Sequence, residues 1–452
     1  MTYPTPLADV AADFHNGTVS ARKLAETALV RIHDEGFTPG AQIFTRVYDA
    51  GARAAALSAD HLRAAGVAQG PLAGMPISIK DLFDVAGETT TAGSVVLKDV
   101  APASADAVIV ARLRAAGAVI TGKTNMTEFA FSGVGLNPHY GTPGNAIDAS
   151  RIPGGSSAGA GISVVKGMAV AAIGTDTGGS IRIPACFAGI VGFKPSQARV
   201  PLDGAVPLSP ALDSIGPLAP TVACCATVDA VLAGEAPRVL APRDPSHMTF
   251  AVARGLPMDG VDDHVAAAYD AALKRLRDAG ARLIELELPE IAEVPQLNAA
   301  GGFTAAESWA WHRALIERSG AGYDQRVMTR IRRGAEMSAA DYIDLLNRRR
   351  RMIAAADRAL RPFDALLMPT IPIVPPKIED LAADADYTRL NLMVLRNPTF
   401  GNVLDFCGVT LPIAEPGTLP AGLMVLGRNG TDHALLNAAA GIEALVVRRH
   451  GA

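Results

Sequence analysis

PGGSSAGAGISVVKGMAVAAIGTDTGGSIRIPACFAGIVGFKP, residues 153–195, is the most unusual stretch of this 452-residue chain. Ten glycines fall between Pro153 and Gly192, so the backbone there must turn sharply or lie close to something. The apolar run 161–173 predicts a buried helix. Upstream, PLAGMPISIKD (71–81) alternates Ile77 and Ile79 with Ser78 and Lys80, which predicts a strand with Lys80 at or just beyond its end. Residues 106–116 have helical spacing, Gly117 stops them, and 118–121 form a short buried strand. Ser20 caps an amphipathic helix, and an Ala-rich helix follows over 49–65.

Downstream, a helix over 263–279 leads into a strand over 281–286. Residues 303–360 are largely helical, and 365–368 form a strand ending in PTIPIVPP. Strands are expected at 409–413 and 422–426, with a closing helix from Asp432. No repeat or flexible linker interrupts this alternation. It predicts one large α/β domain, 1–452, with a mixed central sheet covered by helices on both faces. Its parts are N-terminal helices (1–66), a core (67–230) and a C-terminal part (231–452) that holds the helical region 303–360.

The charges, 41 basic against 45 acidic, give no footprint for nucleic acid or an anionic membrane. The basic run Arg348–Arg351 is expected to be a solvated helix face. Cys186, Cys224, Cys225 and Cys407 show neither disulfide nor zinc spacing and read as buried small hydrophobes. The N-terminus lacks a leader pattern and no apolar run is long enough for a span, so a cytoplasmic location is expected.

Three motif matches fail on context. GAVITGKT (117–124) fits a P-loop, but a helix precedes it and a strand lies inside it. GSSAG (155–159) would make Ser157 the nucleophile of a G-x-S-x-G elbow, with His433 as base, yet no strand precedes it. Ser20-Ala-Arg-Lys23 fits S-x-x-K, and helix capping accounts for Ser20.

Two serines remain in glycine-rich settings, Ser156 in PGGSSAG and Ser180 in GTDTGGSIRIPA. Flanking glycines leave room for a substrate, and successive N–H groups can converge on an anion. A serine nucleophile needs a base. No histidine lies in either stretch, and a lysine can serve instead where burial or a cationic environment makes it neutral near pH 7. Lys80 is the first candidate and Lys123 and Lys194 the runners-up; a salt bridge from Lys80 to Asp81 or Asp84 accounts equally well for its spacing.

The 153–195 block resembles the defining block of the amidase signature family. Further similarity lies in GMPISIKD (74–81), GKTNMTEFAFSG (122–133), NPHYGTPGN (137–145), MPTIP (368–372) and LPAGLMVLGR (419–428), in family order over nearly the whole chain. The resemblance implies Lys80 as base, Ser156 as bridging serine after a cis peptide bond, and Ser180 as nucleophile. It further implies an oxyanion hole from the amides of Thr177, Gly178, Gly179 and Ser180, with Ser157 left structural. Asp176 and Arg182 are expected to pair and hold that loop. Ala130, Phe131 and Ser132 match the family's acyl-side segment, with Thr175 nearby as a further substrate contact. Phe129 and Phe131 read equally well as core. Ala146, Ala158 and Met424 depart from the family pattern without touching the triad.

The implied activity is hydrolysis of a carboxylic acid amide through a Ser180 acyl-enzyme, without metal or cofactor. Alternatives are the amidase subunit of a tRNA-dependent amidotransferase, which needs partner subunits, a hydrolase of urea-like amides, and a silent scaffold. Family habit points to a homodimer.

Overall fold

Eleven strands join in one sheet in the computed structural model, which describes residues 4–448. They are β1 (Phe44–Val47), β2 (Pro76–Lys80), β3 (Val119–Thr124), β4 (Ala171–Asp176), β5 (Val191–Lys194), β6 (Ser214–Ala219), β7 (Thr249–Ala253), β8 (Arg282–Leu286), β9 (Ala365–Pro369), β10 (Cys407–Pro412) and β11 (Gly422–Gly427). Their order is β1-β3-β2-β4-β6-β5-β10-β11-β9-β7-β8. The blocks β3-β2-β4 and β9-β7-β8 are parallel, and antiparallel pairs link them through the middle. The sheet is therefore mixed, as expected.

Alternation along the strands divides the core. Ile77, Ile79, Ile173, Phe193, Val409, Val425 and Leu367 meet the helices Val108–Ala115, Val222–Ala233, Asp263–Asp278 and Asp432–Val446 in one cluster. Ala172, Leu218, Leu366, Met368, Met424 and Leu426 belong to clusters on the other face. Period-two side chains thus bury both faces, and helices cover each. No helix among the described residues is long and apolar enough to cross a membrane.

Several elements depart from the expectation. The run 161–173 is no single helix: Ala158–Val165 is helical, Gly167 turns the chain at φ 64°, and β4 begins at Ala171. The N-terminal part contributes β1 as well as helices. β3 runs on through Gly122-Lys123-Thr124, because a Cβ at Gly122 would lie 2.2 Å from the Arg46 carbonyl of β1. The GKT triplet is therefore strand, and Ser20 accepts the Lys23 amide as a helix cap.

The Arg348–Arg351 run is only partly a solvated face. Arg349 donates to the carbonyls of Val403, Ala211 and Asn402, and Arg348 to Glu293. A helix turns these two inward while Arg350 and Arg351 stay exposed. All four cysteines are buried thiols.

Candidate active site

β2 ends in Lys80, on the same face as Ser78, whose hydroxyl meets Ser163 of the helix Ala158–Val165 at 2.9 Å. Lys80 is fully buried, and its Nζ lies 2.7 Å from Ser156 Oγ and 2.8 Å from Thr175 Oγ1. Burial brings its pKa down to about 7, against the opposing pull of Asp213 and Asp176. A lysine poised near neutrality can hold or release a proton under ordinary conditions. The salt bridge to Asp81 or Asp84 does not form; Asp81 pairs instead with Lys123 at 3.5 Å. Lys194, the other runner-up, donates to the carbonyls of Pro195 and Phe406.

Ser156 follows a cis peptide bond from Gly155. The Thr127 amide donates to its carbonyl at 3.0 Å, and the Gly155 amide to the Gly133 carbonyl at 2.8 Å. A Cβ on Gly155 would lie 2.7 Å from the Gly135 amide, so glycine is required there. Ser157 packs against Gly174, where a Cβ would meet its hydroxyl at 2.7 Å. That contact, with no strand before it, fits a structural Ser157; the ring of His433, its nominated base, lies against Asn437.

The loop after β4 is built on Asp176. Its carboxylate accepts from Gly179 N (2.8 Å), Arg182 Nη2 (2.9 Å) and Asn402 Nδ2 (2.9 Å), with Arg182 and Asp176 both fully buried. Burial pushes the Asp176 carboxyl up, and the Arg182 guanidinium more than reverses this, holding it well below the usual range. Met424 Sδ lies 3.2 Å from Arg182 Nη1, so that departure sits behind the loop.

The four-amide oxyanion hole needs correction. The Gly179 amide is engaged by Asp176, whereas those of Gly178 and Ser180 donate to no described residue. Thr177 is nearly buried and its hydroxyl donates to Asp213 at 2.5 Å. Ser180 is 3% exposed, and its hydroxyl makes no hydrogen bond to Ser156 or any other described residue. The Lys80–Ser156 hydrogen bond is thus formed, and none joins Ser156 to Ser180 among the described residues.

The helix Asp384–Val403, for which no element was expected, draws the site together. Asn391 Oδ1 accepts from Ser132 Oγ (3.0 Å) and Gly133 N (2.9 Å), and Tyr387 donates to Ser132 (2.8 Å). Leu395 lies against Gly133, Thr399 against Gly178 and Pro398 against Gly179. Asn391, Asn397 and Asn402 of this helix are all buried and hydrogen-bonded, a burial that residue type alone does not announce. Ala130 (φ 59°) and Phe131 lead into Ser132, with the Phe131 carbonyl accepting from Arg330. Phe129 is core, packed on His312, Tyr323 and Trp311; Phe131 is half-buried. Thr175, expected to touch substrate, has its hydroxyl engaged by Lys80. No group of three His, Cys, Asp or Glu residues able to hold a metal occurs among the described residues.

A family model described as Amidase matches residues 26–436. The chain belongs to the amidase family. It is 36% identical over 448 residues to a 2-amino-5-chloromuconic acid deaminase of Comamonas testosteroni, covering 96% of each chain. It is 34% identical over 462 residues to a glutamyl-tRNA(Gln) amidotransferase subunit from Symbiobacterium thermophilum, covering 94% of this chain and 93% of the relative. A crystal structure of an amidase superposes with a TM-score of 0.87 at 32% identity, covering 98% of this chain and all of that one. This amidase hydrolyses amide C–N bonds, and the scaffold alternative falls away.

Proposed function

We propose that this amidase acts as a self-sufficient enzyme on a small carboxylic acid amide, with Ser180 as nucleophile, Ser156 as relay and Lys80 as base. The observation that carries this reading is the buried Lys80 amine, 2.7 Å from Ser156 and without a carboxylate within 4 Å among the described residues. Neutral Lys80 takes the Ser156 proton, and Ser156 takes the Ser180 proton as Ser180 Oγ attacks the carbonyl carbon. The amides of Thr177, Gly178 and Ser180 receive the oxyanion. The relay then runs in reverse to protonate the leaving nitrogen, and water releases the acid from the acyl-enzyme. Thr175 orients Lys80, while Ala130 and Phe131 border the acyl group and Ser132 anchors that border to the helix Asp384–Val403.

The test is ammonia or amine release by wild type and Ser180→Ala over a panel of aliphatic, aryl, amino-acid and urea-like amides. Wild-type turnover with at least about a hundredfold loss in the variant is expected for removal of a nucleophile; unchanged turnover in Ser180→Ala rejects the assignment. A second reading follows from the deaminase among the relatives, so the panel includes an amino-substituted unsaturated dicarboxylic acid. Glutamine-dependent activity only with added partner chains would favour the amidotransferase role.

A further inference from the structure

β4 and β6 pair with Thr175 opposite Ile215 and Asp176 opposite Ser214, so the next residues along, Thr177 and Asp213, face each other. Thr177 Oγ1 donates to Asp213 Oδ1 at 2.5 Å, and Asp213 Oδ2 accepts the amides of Leu208 and Ser209, each at 3.0 Å. The Asp213 amide in turn donates to the Ser209 carbonyl at 2.7 Å. The 208–213 turn is therefore closed around this carboxylate. Glu307 holds the same turn from its other side, accepting from Ser209 Oγ (2.6 Å) and Ala211 N (3.1 Å), with Tyr342 on its second oxygen.

Asp213 is 6% exposed and has no Lys, Arg or His within 4 Å among the described residues. Buried carboxylates are ordinarily paired. Two carboxylates act on Lys80, and Asp176 has Arg182 against it; Asp213 alone of the two is uncompensated.

We propose that Asp213 is a positioning residue for the amidase reaction: through the Thr177 hydroxyl it holds the 177–180 loop, and its uncancelled charge sets the pH range in which Lys80 accepts a proton. This rests on the assignment of Lys80 and Ser180 made above. The charged groups around the pair are few. Lys80 faces Asp213 and Asp176; Asp213 faces Glu307; Arg182 and Lys194 act on Asp176; Asp81 and Lys123 oppose each other on β2 and β3. Burial, with Glu307 adding to it, pushes Asp213 up to about 6 against the Thr177, Ser209 and Leu208 donors, so above pH 6 it is mostly charged as Lys80 loses its proton. A negative charge nearby favours the protonated lysine, so removing it frees the amine at lower pH.

The experiment follows Ser180 directly, by the rate of irreversible phosphonylation with an alkyl fluorophosphonate between pH 5.5 and 9. In this step Ser180 Oγ displaces fluoride from phosphorus and its proton passes to the relay. Wild type should rise with pH to a plateau with a midpoint near 7. Asp213→Asn, confirmed folded by its melting curve, should move the midpoint down by about 0.5–1 pH unit. Thr177→Val, which removes the hydroxyl that holds the Asp213 carboxylate, should lower the plateau about tenfold or more, and Thr177→Ser should restore it. A wild-type midpoint in Asp213→Asn, or a wild-type plateau in Thr177→Val, overturns the proposal. Should Asp213→Asn not fold, Asp213→Glu is expected to keep the wild-type midpoint, and a shifted one overturns it. Labelling of Ser180→Ala at the wild-type rate would instead sink the nucleophile assignment, a separate result.

Discussion

The ends of β2 and β3 each carry a buried lysine, and they differ in what surrounds the ammonium group. Lys80 on β2 meets two hydroxyls, Ser156 and Thr175, whereas Lys123 on β3 meets the Asp81 carboxylate at 3.5 Å and Thr90 at 3.2 Å. Burial lowers both pKa values, but a carboxylate faces Lys123 directly and opposes its deprotonation. Two lysines on neighbouring strands thus have different surroundings: one meets hydroxyls alone, the other neutralises a buried charge. Lys194, capped by two carbonyls, is a third arrangement and again a structural one.

The comparison breaks first if the wrong lysine proves essential. Lys80→Met should lower kcat/KM by ~10²–10⁴, the usual contribution of a positioned base, while Lys123→Met, assayed per folded molecule, should stay near wild type. Equal losses would show that the sheet end acts as a unit. Stability should respond in the opposite sense. Lys123→Met leaves Asp81 as a buried, unpaired carboxylate and should destabilise by about 3–5 kcal/mol in denaturant unfolding. Lys80→Met removes no carboxylate's partner and should be neutral or stabilising.

The pH dependence of that last variant sharpens the contrast. Lys80 has a folded value near 7 and an ordinary value of 10.5, so between them the unfolded chain binds the extra proton. Wild-type stability therefore rises with pH across that window, and any advantage of Lys80→Met is greatest below pH 7 and fades towards 10.5. Activity has the same origin: kcat/KM should fall about tenfold per pH unit below 7 as Lys80 becomes protonated, and a flat profile from pH 5 to 8 would remove Lys80 as base. The smallest effect is expected at Ser157→Ala. Ser157 makes one long contact, 3.5 Å to the Thr175 carbonyl, so activity should change less than about fivefold, in contrast to Ser156→Ala.

Much of this was legible in the residues because the constraints are local. Alternation at Ile77, Ser78, Ile79 and Lys80 marks a strand with its faces assigned, and the glycines at 154, 155, 178 and 179 mark backbone in close contact. The split of 161–173 was not legible, since a buried helix and a buried strand share one apolar composition and Gly167 alone divides them. The helix Asp384–Val403 escaped for a related reason: Pro398 lies inside it, and Asn391, Asn397, Gly401 and Asn402 break the apolar stripe of its buried face.

The sequence by itself determined the family and the α/β alternation and nominated a lysine and two serines through the family resemblance, because each depends on residue type and order along the chain. Only the tertiary structure decided that Lys123 pairs with a carboxylate while Lys80 meets two hydroxyls, that Gly179 gives its amide to Asp176, and that Asp213 faces Thr177. Those facts depend on distances of a few ångströms between segments dozens of residues apart, where Coulomb and desolvation effects are strongest and spacing along the chain carries no information.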